Sequence, residues 1–216
     1  MYAGTIWRGI AKSLDGGGRW RPAGPFPLLA GGAVPRPADV MSLAVDPADP
    51  RVVYAGTNFG GVLKSLDGGA SWRTTNRGLP APAYLGGRVF HPVVALVVNP
   101  RAPKTLYAAV AGTGVFVSRD GAVHWRRLAP GLAEPRVESL ALVPGTRETL
   151  YAATAGGVFR SAGGGPWRRA GLAGVWLDPL KRERMDHLLG AVACLALSAL
   201  AILGSLVKFL PILLHR

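Results

Sequence analysis

The chain has 216 residues, of which 49% are hydrophobic, with 30 Gly, 18 Pro and one Cys. That hydrophobic content excludes global disorder, and the lone Cys194 excludes an intramolecular disulfide and a cysteine-based metal site. The formal net charge of +13 favours acidic partners or an anionic lipid surface. Nucleic acid is not expected as a partner, because no recognised nucleic-acid-binding module accompanies the charge.

One phrase recurs along the chain and fits the pattern S-x-D-x-G-x-x-W, which we call the Ser-Asp-Trp box. Residues 13–20 and 65–72 fit it fully, residues 118–125 have Ala122 at the glycine position, and residues 161–167 lack the Asp and one further residue. The successive boxes are 52, 53 and 43 residues apart. This spacing predicts one supersecondary unit stacked on copies of itself. The box residues are Ser13, Asp15, Gly17, Trp20, Ser65, Asp67, Gly69, Trp72, Ser118, Asp120, Trp125, Ser161 and Trp167.

Each period contains four short β-prone runs separated by Asp-Pro, Gly-Gly and Asp-Gly turn sequences. In the second unit the runs lie at about 40–45, 52–57, 61–65 and 71–75. Four antiparallel strands in this length are typical of a propeller blade. The sequence therefore predicts an all-β fold, a small β-propeller of about four blades.

The box itself has a structural interpretation. The Asp carboxylate is suited to accept backbone N–H groups at the bend, and the glycine supplies a positive φ. The Trp ring is expected to cover the hairpin and bury a large apolar area. We therefore predict a structural role for these residues and no catalytic role.

The boxes resemble Asp-box repeats, also called bacterial neuraminidase repeats, which occur in sialidases, sortilin-type receptors and photosystem II assembly factors. The resemblance covers residues 2 to about 170 and implies a propeller fold. It also implies that the boxes lie on the face opposite the usual ligand site. It is almost silent on function, since these relatives include hydrolases as well as non-catalytic binders.

Sialidase chemistry is not expected, because the resemblance would require an arginine cluster, a Tyr–Glu pair and an Asp acid/base. No Arg-Ile-Pro motif is present, and the turn Asp residues account for several acids. Glu134, Glu138 and Glu148 remain, with Tyr84, but no pair of carboxylates has a defined separation. The four His residues lack metal-ligand spacing. The expectation is that the chain is not an enzyme and has no catalytic, cofactor-binding or metal site; the alternative is a sialidase-like glycan-binding or glycoside-hydrolysing propeller.

The C-terminal part contains twenty uncharged residues, Leu188 to Val207, which as a helix would span about 30 Å. This predicts one transmembrane α-helix. The predicted domains are a propeller over 1–179, a basic juxtamembrane stalk over 180–187, and a transmembrane helix with a short tail over 188–214. The membrane-proximal bases are Lys181, Arg182, Arg184 and Lys208. Their distribution favours a cytoplasmic propeller over a periplasmic or extracellular one, although a misplaced start codon would reverse this.

The first unit begins in its second strand, so its innermost strand is missing from the pattern. Residues 173–178 echo residues 42–47 and are expected to supply that strand and close the ring. A larger ring with an absent N-terminal part and a ring completed by another chain are the alternatives. The pattern sets no oligomeric state.

A candidate partner-binding face consists of the loops between second and third strands, together with the linkers between blades. Its residues are Trp7, Arg8, Asn58, Phe59, Tyr84 and Arg88. Exposed aromatic and Arg side chains on loops are typical interface anchors, but Trp7 and Phe59 would alternatively plug the central channel. The leading hypothesis is a non-catalytic membrane-anchored propeller, an accessory subunit or assembly or stability factor that binds the protein subunits of a membrane complex.

Overall fold

The computed structural model describes residues 1–6, 8–25, 39–81, 90–129, 132 and 136–170. These residues form fifteen β-strands in four antiparallel sheets. Among them, no helix has the length and apolar character needed to cross a membrane. The predicted closing strand at 173–178 and the predicted helix at 188–207 lie outside the described residues.

Each sheet is one blade, and its strands follow one another in chain order. Blade 1 has three strands, β1 (Tyr2–Thr5), β2 (Gly9–Lys12) and β3 (Arg21–Pro22). Blade 2 consists of β4 (Val40–Val45), β5 (Val53–Thr57), β6 (Val62–Ser65) and β7 (Arg73–Thr74). Blade 3 consists of β8 (Val93–Val98), β9 (Leu106–Val110), β10 (Gly114–Ser118) and β11 (Arg126–Arg127). Blade 4 consists of β12 (Val137–Val143), β13 (Thr149–Thr154), β14 (Gly157–Ala162) and β15 (Arg168–Arg169).

The strand predictions for the second unit are confirmed: four of the eight boundaries are identical, and the other four differ by one or two residues. The first unit does begin with the equivalent of a second strand, so blade 1 has three strands and not four. Each box connects the last two strands of its blade, where short β-branched runs give way to glycine-containing turns.

The blades pack face to face, and each junction has its own apolar core. Ile10 and Ala23 of blade 1 pack with Val53, Leu63 and Trp72 of blade 2, and similar clusters join blades 2 and 3 and blades 3 and 4. The contacts run in series from β1 to β4, from β4 to β8 and from β8 to β12. We call this series of four blades the arc; among the described residues, no contact of similar extent joins β12 to β1.

The antiparallel order gives the arc two different faces. The turns between first and second strands and all four boxes lie on one face, which we call the Ser-Asp face. The turns between second and third strands, and the linkers that enter the next blade, lie on the other face, which we call the linker face.

Tyr54 of β5 gives the fold an expected weakness at high pH. Its side chain is 1% exposed, and burial, with the Asp46 carboxylate adding to it, raises the pKa of Tyr54 from 10.0 to about 12. The protonated phenol therefore contributes stability that is complete below pH 10.0 and is lost as the pH rises to about 12. Burial lowers the pKa of the adjacent Lys64 below its ordinary value of 10.5. Stability therefore rises as Lys64 loses its proton, and this gain is complete by pH 10.5.

We therefore expect the free energy of unfolding to fall between about pH 10.5 and 12. The Tyr54→Phe variant should show a shallower fall, because it has no phenol to ionise. Urea unfolding at a series of pH values measures both slopes. Identical slopes for the two proteins would contradict the assignment to Tyr54.

Candidate functional site

In the second box, one Ser and one Asp hold the turn through a small set of hydrogen bonds. Ser65 Oγ donates to Asp67 Oδ1 at 2.8 Å and accepts the Gly69 N–H at 2.8 Å, while the Ser71 N–H donates to Asp67 Oδ1 at 2.9 Å. The boxes at Ser13 and Ser118 have the same three bonds. The carboxylate thus satisfies donors within its own turn.

The two imperfect boxes depart from this geometry in different ways. Ala122 takes the glycine position with a φ of 69°, a conformation that an L side chain adopts only at a cost. In the fourth box there is no Asp to accept, and Ser161 Oγ donates instead to the Gly165 carbonyl oxygen at 2.6 Å.

The box Trp residues link neighbouring blades, a role that the sequence analysis missed. Trp72 Nε1 of blade 2 donates to the Ala23 carbonyl oxygen of blade 1 at 3.0 Å, and Trp125 Nε1 of blade 3 donates to the Thr75 carbonyl oxygen of blade 2 at 2.8 Å. Trp72, Trp125 and Trp167 are buried, whereas Trp20 of blade 1 is 42% exposed.

A Lys on the preceding blade caps each of two Asp-Gly turns. Lys12 Nζ of blade 1 donates to the Gly68 carbonyl oxygen at 2.8 Å, and Lys64 Nζ of blade 2 donates to that of Gly121 at 2.8 Å. Tyr2 also donates its hydroxyl to Gly68, at 3.0 Å. Each Lys lies over a Tyr ring of its own blade, with Lys64 Nζ 5.2 Å from the Tyr54 centroid.

Glu148, one of the acids to which the sequence assigns no turn role, joins blades 3 and 4. Its carboxylate accepts the Tyr107 hydroxyl and, at 2.6 Å, the Asn99 side-chain amide, and Arg119 lies 3.8 Å away. Burial and the hydrogen bond to Glu148 raise the pKa of Tyr107. These contacts give Glu148 a structural role on the Ser-Asp face.

The carboxylates of the boxes are poorly suited to proton transfer. Hydrogen bonds from the Ser71 hydroxyl and N–H, and from Ser65, hold the pKa of Asp67 well below its usual range. A carboxylate that stays ionised and accepts turn donors cannot serve as a general acid near neutral pH. A concavity on blade 1 includes Asp15, but that carboxylate has the same turn partners. The concavity is lined by Lys12, Leu14, Asp15, Arg19, Arg21 and Pro22.

On the linker face, Phe59 lies at the tip of a turn that several hydrogen bonds stabilise. Thr57 Oγ1 accepts the Gly60 N–H at 2.9 Å and donates to the Gly61 carbonyl oxygen at 2.9 Å. Asn76 binds the same turn through the Gly60 carbonyl oxygen and the Val62 N–H, both at 2.7 Å. The Phe59 ring is 47% exposed above this framework.

The structure places only part of the predicted partner-binding face. Arg8 and Phe59 are exposed, and Asn58 is half-buried, with its N–H donating to the Asp39 carbonyl oxygen at 2.9 Å. Trp7, Tyr84 and Arg88 lie outside the described residues, as do Lys181, Arg182, Arg184 and Lys208.

Two described carboxylates belong to strand ends at the linker face. Asp39 directly precedes β4, and Glu138 is the second residue of β12. Neither contributes to a Ser-Asp-Trp box. Among the described residues, no group of three His, Cys, Asp or Glu side chains is placed to hold a metal ion.

The last strands of the blades carry exposed Arg side chains at equivalent positions. They form a basic rim at the outer edge of the arc. Its members are Arg21, Arg73, Arg126, Arg127, Arg168 and Arg169.

No protein-family model matches the chain, but curated relatives do. It is 28% identical over 201 residues to the xyloglucanase Xgh74A of Acetivibrio thermocellus, covering 82% of this chain and 23% of that protein. It is 32% identical over 129 residues to a xyloglucanase of a Paenibacillus species, covering 53% of this chain and 12% of the other. The chain thus spans less than a quarter of the length of these relatives.

Solved structures with the same blade architecture include enzymes and a peptide binder. An ancestral GH74 enzyme matches 80% of this chain with a TM-score of 0.59 and 20% identity, over 22% of its own length. The GH74 xyloglucanase of Xanthomonas campestris matches 82% of the chain with a TM-score of 0.53 and 21% identity, over 29% of its length. YCF48 bound to a D1 peptide matches 77% with a TM-score of 0.51 and 15% identity, over 50% of its length. These likenesses show a β-propeller fold.

The expectation that the chain is not an enzyme is wrong in the light of these relatives, because xyloglucanases are glycoside hydrolases. The expectation rested on missing sialidase residues and on the lack of a local carboxylate motif. Glycoside hydrolysis needs two carboxylates at a suitable separation in space. Separate blades can supply them without leaving a spacing pattern in the sequence.

Proposed function

We propose that the linker face of this propeller binds xyloglucan or a related β-glucan and that the chain belongs to a glycoside-hydrolysing protein. The observation that carries the proposal is the 28% identity to a xyloglucanase across 82% of the chain. This identity extends over most of the repeated units and is not confined to a single box.

The side chains of the two faces have different roles, and this difference supports the linker face as the ligand side. The carboxylates of Asp15, Asp67, Asp120 and Glu148 accept hydrogen bonds that hold turns or blades together on the Ser-Asp face. The linker face offers Phe59, whose exposed ring provides a flat apolar surface of the kind that sugar rings stack against. It also offers the carboxylates of Asp39 and Glu138.

Incubating the purified full chain with xyloglucan and measuring new reducing ends tests hydrolysis. We expect product from xyloglucan and less from unbranched carboxymethylcellulose. The Asp39→Asn or Glu138→Gln variant should lower the rate by about 100-fold or more, as expected when a general acid or base is removed. Asp49→Asn is the matched control, because Asp49 lies on the Ser-Asp face in a surface pair with Arg51.

Affinity electrophoresis in gels that contain xyloglucan tests binding separately from hydrolysis. Phe59→Ala should lose retardation, whereas Leu66→Ala, an exposed apolar side chain of similar exposure in a box, should keep it. Full-chain protein that neither cleaves nor binds xyloglucan would contradict the proposal.

Peptide binding within a membrane complex is a second candidate function. It is supported by the likeness to YCF48 bound to a D1 peptide and by the net charge of +13, which suits an acidic partner. Under this second proposal, the boxes are Asp-box repeats, and the uncharged residues 188–207 anchor the propeller in a membrane. The propeller then lies on the cytoplasmic side of that membrane. Carbonate extraction of membranes, followed by identification of proteins that co-purify in detergent, tests it. Release of the chain by carbonate would contradict the anchor.

A further inference from the structure

The junctions between blades 1 and 2 and between blades 2 and 3 share one design. At each junction, a Lys of one blade donates to a glycine carbonyl oxygen in the box of the next blade. The Trp of that box donates back to a carbonyl oxygen of the first blade. Apolar side chains fill the space between these bonds. We call the surface of a blade that faces the next blade along the chain its trailing surface, and the surface that faces the preceding blade its leading surface. Each junction therefore joins a trailing surface to a different, leading surface.

Blade 4 presents a trailing surface of the same kind. Tyr151 pairs with Arg160 in the strand register that pairs Tyr54 with Lys64 in blade 2, so a cation again lies across from a Tyr. Tyr54 and Tyr107 are 1% exposed at their junctions, whereas Tyr151 is only half-buried. Val158 is likewise half-buried, and its equivalent in blade 2, Val62, is fully buried.

Blade 1 presents the matching leading surface. Trp20 is 42% exposed, compared with 9% for Trp72 and 4% for Trp125, and Met1 is 64% exposed. The turn at Gly16 is also open, since a Cβ added there would meet nothing within 4 Å. A Cβ at the equivalent Gly68 would lie 2.9 Å from the capping Lys12 Nζ.

We propose that the trailing surface of blade 4 binds the leading surface of blade 1 in a second copy of this chain. Arg160 and Tyr151 of one copy donate to the Gly16 carbonyl oxygen of the other. Trp20 Nε1 of that second copy donates to the Ala170 carbonyl oxygen, because Ala170 bonds to Val158 as Ala23 bonds to Ile10 in blade 1. The junction repeats contacts that the molecule already makes between its own blades.

The series of contacts within one molecule supports a second copy of this chain as the partner that binds these two surfaces. Within one molecule the inner contacts run in series, and among the described residues none of similar extent brings β12 to β1. Two arcs joined at both ends give eight blades, which lies within the usual range of about four to eight. Because the two surfaces differ, the contact is heterologous, and two such contacts close a two-fold ring.

The mass of the full chain in mild detergent, measured by light scattering with the detergent contribution removed, tests the proposal. We expect about twice the chain mass of 22.6 kDa. Trp20→Ala and Arg160→Glu should each weaken the dimer by at least about tenfold in Kd. Arg73→Glu is the matched control, since Arg73 is exposed on the outer strand of blade 2, away from both surfaces, and should leave the dimer intact.

A mixing experiment distinguishes the second copy from closure within one chain. The Trp20→Ala copy keeps an intact blade 4 surface and the Arg160→Glu copy keeps an intact blade 1 surface, so the two should form 1:1 pairs. A wild-type protein that stays at one chain mass and variants that form no mixed pairs would overturn the proposal. Assembly that grows beyond two copies with concentration would overturn the closed ring. None of these readouts depends on whether the protein binds a glycan.

Discussion

Replacing Trp125 with Ala is expected to lower the free energy of unfolding by about 3–5 kcal/mol. The indole is 4% exposed, lies in the core between blades 2 and 3, and donates Nε1–H to the Thr75 carbonyl oxygen at 2.8 Å. Truncation would open a cavity at that junction and leave the carbonyl without its donor. Urea unfolding of the full chain, followed by circular dichroism, measures the loss.

Trp20→Ala is the matched control for this prediction. Trp20 takes the same position in the first box but is 42% exposed, so in protein diluted below self-association its loss should cost less than about 1 kcal/mol. Equal losses at the two sites would mean that the indole acts within its own turn. They would contradict its role as a link between blades.

Gly78→Ala is expected to destabilise the protein by more than about 3 kcal/mol. Gly78 has a φ of 91°, and an added Cβ would lie 2.0 Å from the Trp125 carbonyl oxygen. The Trp125 N–H also donates to the Arg77 carbonyl oxygen at 2.8 Å, so the two backbones cannot separate without losing a bond. The midpoint and slope of urea unfolding report the change.

The control for the clash is Gly112→Ala. Gly112 has a similar φ of 70°, but an added Cβ would meet nothing within 4 Å. Only the backbone strain remains, and this should cost about 1–2 kcal/mol. If Gly112→Ala proved as harmful as Gly78→Ala, the close approach of blades 2 and 3 at Gly78 would not be the cause.

Local features of the fold could be predicted from the sequence because their physical causes are local. The strands of blade 2 follow from short β-prone runs bounded by turn residues. The hydrogen bonds around Asp67 join residues no more than four positions apart, which a sequence pattern can encode.

Contacts between blades could not be predicted in the same way. Trp72 bonds to Ala23, 49 positions earlier, and Glu148 accepts bonds from Asn99 and Tyr107 of the preceding blade. Nothing in the spacing of these residues identifies their partners. The period of the repeat predicts that the units stack on one another, but it does not indicate which residues make the contacts between them.

The candidate site could be predicted in outline. The second-to-third strand turn that carries Phe59 was predicted as part of a partner-binding face, which stays a prediction, whereas Asp39 was not singled out, because it lies outside every repeated motif. The expectation of no enzymatic activity is overturned by the likeness to xyloglucanases, and it rested on local motifs, whereas catalytic carboxylates that come from separate strands leave no local signature.

Hydrogen–deuterium exchange of the full chain with and without xyloglucan oligosaccharide tests most directly whether the linker face is the ligand side. We expect slower exchange in the turn at 57–61 and in the equivalent turns at 110–114 and 154–157, with little change in the boxes. Protection confined to residues 66–71 and 119–124 would place the ligand on the Ser-Asp face and would show that the linker face is not the ligand side.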